Sequence, residues 1–300
     1  MGEASESFLP PKRGFPLPNL PQFGGGDLRL ELAMLRSIVA IALIGALAAP
    51  ALADDESERQ AHWADLKQTL FGERASVDAA GLIALEAPKR ALDAALVPIT
   101  VTTRPGADII GVTVVIDDNP GPVAARVTFG PRGDPSLLAL RVRVNQYTYM
   151  HAVAETADGA LHETAQFVKA AGGCSAPVGA GEADSLAEIG RMKLRLSGEV
   201  AAGQPVDAQI LIRHPNFNGM QMDQLTRLYT PMKFVQQIEI TLNGERVLSL
   251  ESDISLATDP AIGFRFVPRA EDLPGKLKVT VRDSDNAVFE HSFDVPASGS

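Results

Sequence analysis

The segment whose residue types could do chemistry is the run 168–181, which contains Cys174, the only cysteine of the chain. Gly172 and Gly173 precede the thiol and leave the backbone thin and conformationally free. Pro177 prevents a helix from continuing through the segment. We therefore interpret this run as an arm that holds a thiol out for another protein, and we do not expect Cys174 to lie in a hydrophobic core.

The first 53 residues are not expected to belong to the fold. Residues 34–53 have the layout of a secretory signal peptide: a positive start, an uncharged apolar run and a small-x-small site, with cleavage predicted after Ala53. An uncleaved anchor is the alternative, but the apolar run is shorter than the roughly 20 residues of a membrane span. We predict a periplasmic protein without a stable membrane anchor. Residues 1–33, rich in Pro and Gly, are predicted to be a disordered extension or a mis-assigned start.

Charge and cysteine content narrow the function further. The net charge of −10 disfavours nucleic-acid binding, which needs basic patches. A single cysteine in an exported chain can be a free thiol, an intermolecular disulfide or the carrier of an adduct. Because an unused thiol is a liability in an oxidising compartment, a use for Cys174 is favoured.

The remaining sequence predicts an all-β fold. A short amphipathic helix is expected over Gln60–Phe71, with Trp63 as a core anchor. Short apolar runs then alternate with Gly, Pro, Asn and Asp, which is typical of antiparallel sandwiches, and Asn243-Gly244 predicts a hairpin. We predict two immunoglobulin-like antiparallel β-sandwich domains, at 54–168 and 189–300, joined by an arm and linker at 169–188.

Several motifs occur in an order that resembles a known family. In the first half they are Leu70 to Gly72, Ala87-Pro88, Val97 to Ile99, Asp118 to Pro120 and Lys169 to Cys174; in the second they are His214-Pro215, Gly219, Asp223, Pro231 to Phe234, Asn243-Gly244 and Val279 to Asp283. The chain resembles the Y and Z subunits of the periplasmic sulfur-oxidation (Sox) carrier, fused into one polypeptide. The fused arrangement also resembles the SoxYZ-like carriers encoded beside quinoprotein (pyrroloquinoline-quinone) dehydrogenases.

The resemblance implies a carrier rather than an enzyme. It places a covalent sulfur adduct on Cys174, makes Gly172, Gly173 and Ser175 the carrier arm, and implies no tightly bound cofactor. The implied partners are periplasmic enzymes of sulfur or thiosulfate oxidation, or a quinoprotein dehydrogenase system, with the two domains paired within the chain. In the family the arm is a free C-terminus with glycines after the cysteine. Here Ser175 and Pro177 follow and the second domain continues, which leaves the cargo open.

Three other readings remain. An enzyme with Cys174 as nucleophile would need a histidine fixed beside the thiol, and the histidines are scattered along the sequence. His214, Met220 and Met222 could form a copper site, since thioethers favour Cu(I), or the methionines could fill the core or an interface. The chain could also be a non-catalytic two-domain interaction module whose cysteine is unused or forms a dimer.

Four arginines at alternating strand positions are the last candidate functional residues. They could form an anion patch near the arm, but alternation with apolar residues places such side chains on a solvated face, which is the interpretation we favour. The residues concerned are Arg141, Arg143, Arg191 and Arg195.

Overall fold

The computed structural model describes residues 50–79, 81–176, 186–223 and 226–297. It divides into two compact units, residues 1–60 and 61–300, and of the first unit only residues 50–60 are described. The predicted extension and residues 34–49 of the predicted signal peptide lie outside the described residues. The cleavage site after Ala53 therefore stays a prediction.

Helix α1 spans Pro50–Phe71 and is longer than the predicted helix, which began at Gln60. The prediction followed apolar spacing, whereas the preceding residues are mostly Ala, Asp, Glu and Arg, most of which tolerate helix without an apolar face. The helix ends at Gly72, whose φ of 66° is the left-handed conformation of a helix end. Trp63 is buried against Val153 and other apolar residues, which confirms it as a core anchor. Within the described ranges no helix combines the length and apolarity required to cross a membrane.

In the described part of the chain, fifteen strands follow the helix and confirm the all-β class with a helix in front. In the first half they are β1 Ser76–Asp78, β2 Ile83–Glu86, β3 Val97–Thr103, β4 Ile109–Ile116, β5 Val123–Phe129, β6 Gly133–Val142, β7 Thr148–Thr156 and β8 Leu161–Val168. In the second half they are β9 Met192–Ser197, β10 Val206–Ile212, β11 Val235–Leu242, β12 Glu245–Ser252, β13 Ala261–Phe266, β14 Gly275–Asp283 and β15 Val288–Val295, with a short 3-10 helix at Ala270–Asp272.

Both sheets run from the first half of the chain into the second. The nine-stranded sheet has the order β1-β8-β7-β4-β5-β12-β11-β14-β15, and the six-stranded sheet has the order β2-β3-β6-β13-β10-β9. The halves meet where β5 pairs with β12, opposing Val127 to Leu250, and where β6 pairs with β13, opposing Leu138 to Phe264. At the end of β5, Phe129 pairs with Leu248, and at the end of β6, Val142 forms a bridge with Leu256. The segments that follow these strands can therefore contact both halves.

Side-chain alternation places the core between the sheets. Leu138, Leu140 and Val142 of β6 are buried, as the pattern predicts. The predicted hairpin is confirmed between β11 and β12, where Asn243 and Gly244 have φ of 49° and 89°. The alternation of buried and exposed side chains continues only to the end of β6. The residue that follows β6 is the first residue of the candidate site.

Candidate functional site

Cys174 is completely buried, with 0% of its surface exposed, so the prediction of a thiol held out on an arm is wrong for this conformation. After β8 the backbone N–H of Gly172 donates to the carbonyl of Asn145 at 2.8 Å. The N–H of Gly173 donates to the carbonyl of Val144 at 2.9 Å. These two bonds dock the segment 172–176, named the arm below, against the chain that follows β6.

Glycine is needed at the two positions of the arm for different physical reasons. Gly172 has φ of +79°, and a Cβ added there would meet nothing within 4 Å, so it serves the turn. A Cβ on Gly173 would lie 2.0 Å from the carbonyl oxygen of Ala94 and 2.7 Å from that of Val144. Gly173 is therefore required for close packing, not only for freedom of the backbone.

The second half of the chain holds the cysteine through Asn218. Its amide Nδ2 donates to the carbonyl oxygen of Cys174 at 2.8 Å, and Asn218 itself is buried. The loop around Asn218 is fixed in turn: its N–H donates to Oε1 of Gln221, and its Oδ1 accepts from the N–H of Met220. The docked cysteine is thus bound by both halves.

Arg143 lies beside the docked cysteine and is 2% exposed, which corrects the interpretation of a solvated arginine. Because β6 ends at Val142, the alternation that predicts an outward side chain no longer applies one residue later. Its Nη2 donates to Oγ1 of Thr258 at 2.7 Å, and Thr258 donates to the carbonyl of Pro215. The other three arginines named with it, Arg141, Arg191 and Arg195, are exposed as predicted.

Asn119 ties the segments around the site together. Its Nδ2 donates to the carbonyl of Arg143 at 2.7 Å and lies 2.9 Å from Oγ of Ser255, a residue of the second half. Its Oδ1 accepts the N–H of Asn145 at 2.9 Å. The sequence indicated only a turn here, because Asn before Pro is a common turn signal and does not show which groups the amide binds.

Comparison with protein families identifies both halves. The family described as "Sulfur oxidation protein SoxY" matches residues 67–174, and the family described as "Sulphur oxidation protein SoxZ" matches residues 194–294. The chain combines a SoxY segment with a SoxZ segment. The tandem supports a fused SoxYZ-like sulfur oxidation carrier, and the SoxY match ends at Cys174 itself. No curated protein matches the chain.

Within this SoxYZ-like chain, burial raises the pKa of the Cys174 thiol to about 11, and the nearby positive charge of Arg143 opposes the rise. A thiol with such a pKa is almost wholly protonated near neutral pH. Since the thiolate is the reactive species, the docked thiol is a poor nucleophile. The thiol is also completely buried, so we expect Cys174 to react mainly after the arm has left its docked position.

The raised pKa predicts a specific loss of stability in alkali. An unfolded thiol loses its proton first, so the unfolded state is favoured as pH rises from about 9 towards about 11. Between about pH 8 and about pH 10.5, wild type should lose about 2 kcal/mol more free energy of unfolding than Cys174→Ala, as measured by urea titration. Equal losses in both proteins would show that Cys174 is not docked in solution.

His214, the histidine of the candidate copper site in the SoxZ segment, makes its contacts with protein groups. His214 is fully buried; its Nδ1 accepts the N–H of Asn216 at 3.1 Å, and its Nε2 lies 3.6 Å from Oδ2 of Asp283. Burial lowers the pKa of His214 and keeps the imidazole neutral. In the part of the chain that the structure describes, no cluster of three or more His, Cys, Asp or Glu side chains could hold a metal ion, and no histidine hydrogen-bonds to Cys174. No described contact brings Met220 or Met222 to the imidazole, so the copper reading stays a hypothesis.

Proposed function

We propose that the protein carries a sulfur-containing intermediate covalently on Cys174 and presents it to partner enzymes. The observation that carries the proposal is that the SoxY match ends at the sole cysteine, which sits on a double-glycine arm held against the protein mainly by backbone hydrogen bonds. Bonds from Gly172 and Gly173 can break without repacking a large side chain. The arm is therefore built to leave its place and return.

The docked arm and the released arm have different roles in the proposed carrier. In the docked arm the thiol is protonated and sheltered, because burial raises its pKa to about 11. Once the arm is released into water, the pKa returns towards about 8.5 and a thiolate forms that can take up cargo. The protein performs no catalysis in this scheme: it stores the reactive atom, and the partner enzyme supplies the site of reaction.

The SoxZ segment forms one side of the docking site, and the SoxY segment forms the other. Its Asn218 binds the Cys174 carbonyl, and its strands β12 and β13 continue the sheets of the SoxY segment. Because both segments belong to one chain, they stay together each time the arm leaves its docked position and returns. We place the carrier in the periplasm, after removal of residues 34–53, with enzymes of thiosulfate oxidation or a quinoprotein dehydrogenase system as partners.

A non-catalytic interaction module with an unused cysteine is the second candidate. The complete burial of Cys174 favours it, since a fully buried cysteine is often structural. The two functions differ in what happens when the sulfur atom is replaced by oxygen at the same place.

Complementation of periplasmic extract separates them. Extract from cells that lack the protein is supplied with wild type or Cys174→Ser, and oxidation of thiosulfate and of a quinoprotein substrate alcohol is followed in parallel. The carrier proposal predicts that wild type restores one of these activities and that Cys174→Ser restores neither, because serine cannot form the adduct. Equal restoration by both proteins would establish the interaction module.

A further inference from the structure

Arg143 is a buried cation that forms no ion pair with any described carboxylate. Among the described residues its side chain donates one hydrogen bond, from Nη2 to the neutral hydroxyl of Thr258, and its Nε has no partner. The other deeply buried arginine, Arg132, shows the usual solution: its Nε lies 2.6 Å from Oδ2 of Asp272. An unbalanced buried guanidinium is unfavourable, because desolvation is not repaid by an opposite charge.

The unbalanced charge lies at the docked cysteine. Arg143 directly precedes Val144, whose carbonyl binds the N–H of Gly173 next to the thiol. Its contact Thr258 donates to Pro215, at the start of the loop whose Asn218 binds the Cys174 carbonyl. The pKa values of Arg143 and Cys174 also respond to each other's charge, which agrees with this proximity.

The groups that touch Arg143 are otherwise neutral. Thr258 contributes a hydroxyl, Ser255 a backbone carbonyl that accepts the Arg143 N–H, and Asn119 an amide that donates to the Arg143 carbonyl. In the described ranges no carboxylate lies within ion-pair distance of this guanidinium. A buried guanidinium in neutral surroundings of this kind would be stabilised by an anion.

We propose that Arg143 is an anion-binding group for the docked arm, and that it pairs with a negatively charged group bonded to Sγ of Cys174. This inference rests on the proposed carrier function. It implies that the stability of the docked arm depends on the charge of the cargo. An arm with an anionic adduct docks more firmly than an arm with a free thiol or a neutral adduct. An anionic intermediate would be sheltered between partners, whereas an unloaded arm would be released more readily.

Two adducts of nearly equal size and different charge test the proposal. The Cys174 thiolate displaces iodide from iodoacetate to give an S-carboxymethyl group with one negative charge, or from iodoacetamide to give a neutral S-carbamidomethyl group. Each full-length protein is alkylated to completion in alkali, intact mass confirms one adduct per chain, and the midpoint of thermal unfolding is measured near neutral pH. Cys174→Ala, treated with the same reagents, controls for modification elsewhere.

The charged adduct is expected to unfold about 3 °C or more above the neutral one in wild type. The difference should disappear in Arg143→Gln, which keeps a polar group of similar length without the charge. Because the protein already carries a net charge of −10, an added negative charge without Arg143 has no reason to stabilise it. Equal midpoints in wild type, or the same difference in Arg143→Gln, would overturn the proposal.

A second pair of variants tests the site even if Arg143→Gln does not fold. Cys174→Asp places a permanent anion close to the position of the adduct, and Cys174→Asn is its neutral equivalent. We expect Cys174→Asp to have the higher unfolding midpoint near neutral pH, and a lower one would overturn the proposal. Neither test needs a natural cargo, so failure here would leave the complementation result standing, and failure of the carrier function would show in complementation alone.

Discussion

Gly173→Ala is expected to raise the rate at which the Cys174 thiol reacts with a disulfide reagent near neutral pH by about 100-fold, because two pKa units separate a buried from a free thiol. A methyl group at residue 173 would lie 2.0 Å from the Ala94 carbonyl oxygen, which is backbone and cannot move aside cheaply. The arm must then leave its docked position, and the thiol pKa falls from about 11 towards its free value. Reaction with a chromogenic disulfide, followed by absorbance, gives the rate directly.

The neighbouring glycine provides the matched control. Gly172→Ala meets no atom within 4 Å and carries only the cost of a left-handed alanine, about 1 kcal/mol. Its rate should therefore rise much less than that of Gly173→Ala. If the two variants react equally fast, close packing at Gly173 does not hold the arm, and the docked geometry is not the resting state.

Asn119→Ala is expected to lower the free energy of unfolding by about 3 kcal/mol, the largest loss of stability that we predict. The substitution leaves the Arg143 carbonyl and the Asn145 N–H without their buried partner, and each unpaired group costs about 1–3 kcal/mol. It also removes the link to Ser255 of the SoxZ segment. Urea titration followed by tryptophan fluorescence measures the change through Trp63.

An exposed amide shows what the same truncation does without buried bonds. Gln237 lies on the solvent side of β11, and Gln237→Ala should change the free energy of unfolding by about 0.5 kcal/mol or less. A comparably small effect in Asn119→Ala would contradict the role of Asn119 as the connection between the segments of the site.

The parts of the fold that follow from local pattern could be predicted from the sequence. Alternation placed Leu138, Leu140 and Val142 in the core, and Asn243-Gly244 fixed the hairpin, because both depend on neighbours in the chain. The continuation of both sheets across the two halves could not be predicted in this way. Period-two alternation says which face of a strand is buried, but not which strand lies beside it.

The sequence directed attention to Cys174, Gly172 and Gly173, but not to their arrangement or to the amides of Asn119 and Asn218 that bind around them. A double glycine before Cys174 has the same sequence signature whether the backbone is free or tightly packed, and only the approach of the Ala94 carbonyl to Gly173 distinguishes the two. Arg143 was considered for an anion patch but assigned to the solvated face, because the alternating pattern was carried one residue past the end of β6. Its one available signal was the turn segment Asn145-Gln-Tyr147 just after it, which marks the end of a strand.

Intact mass spectrometry of the protein purified from its native cells tests most directly whether Cys174 carries covalent cargo. The spectra are recorded with and without reductant, beside Cys174→Ser from the same host. The carrier proposal predicts a mass increment on wild type that reductant removes, that is not a second copy of the chain, and that Cys174→Ser lacks. A free thiol in every preparation, or only a disulfide-linked dimer, would contradict it.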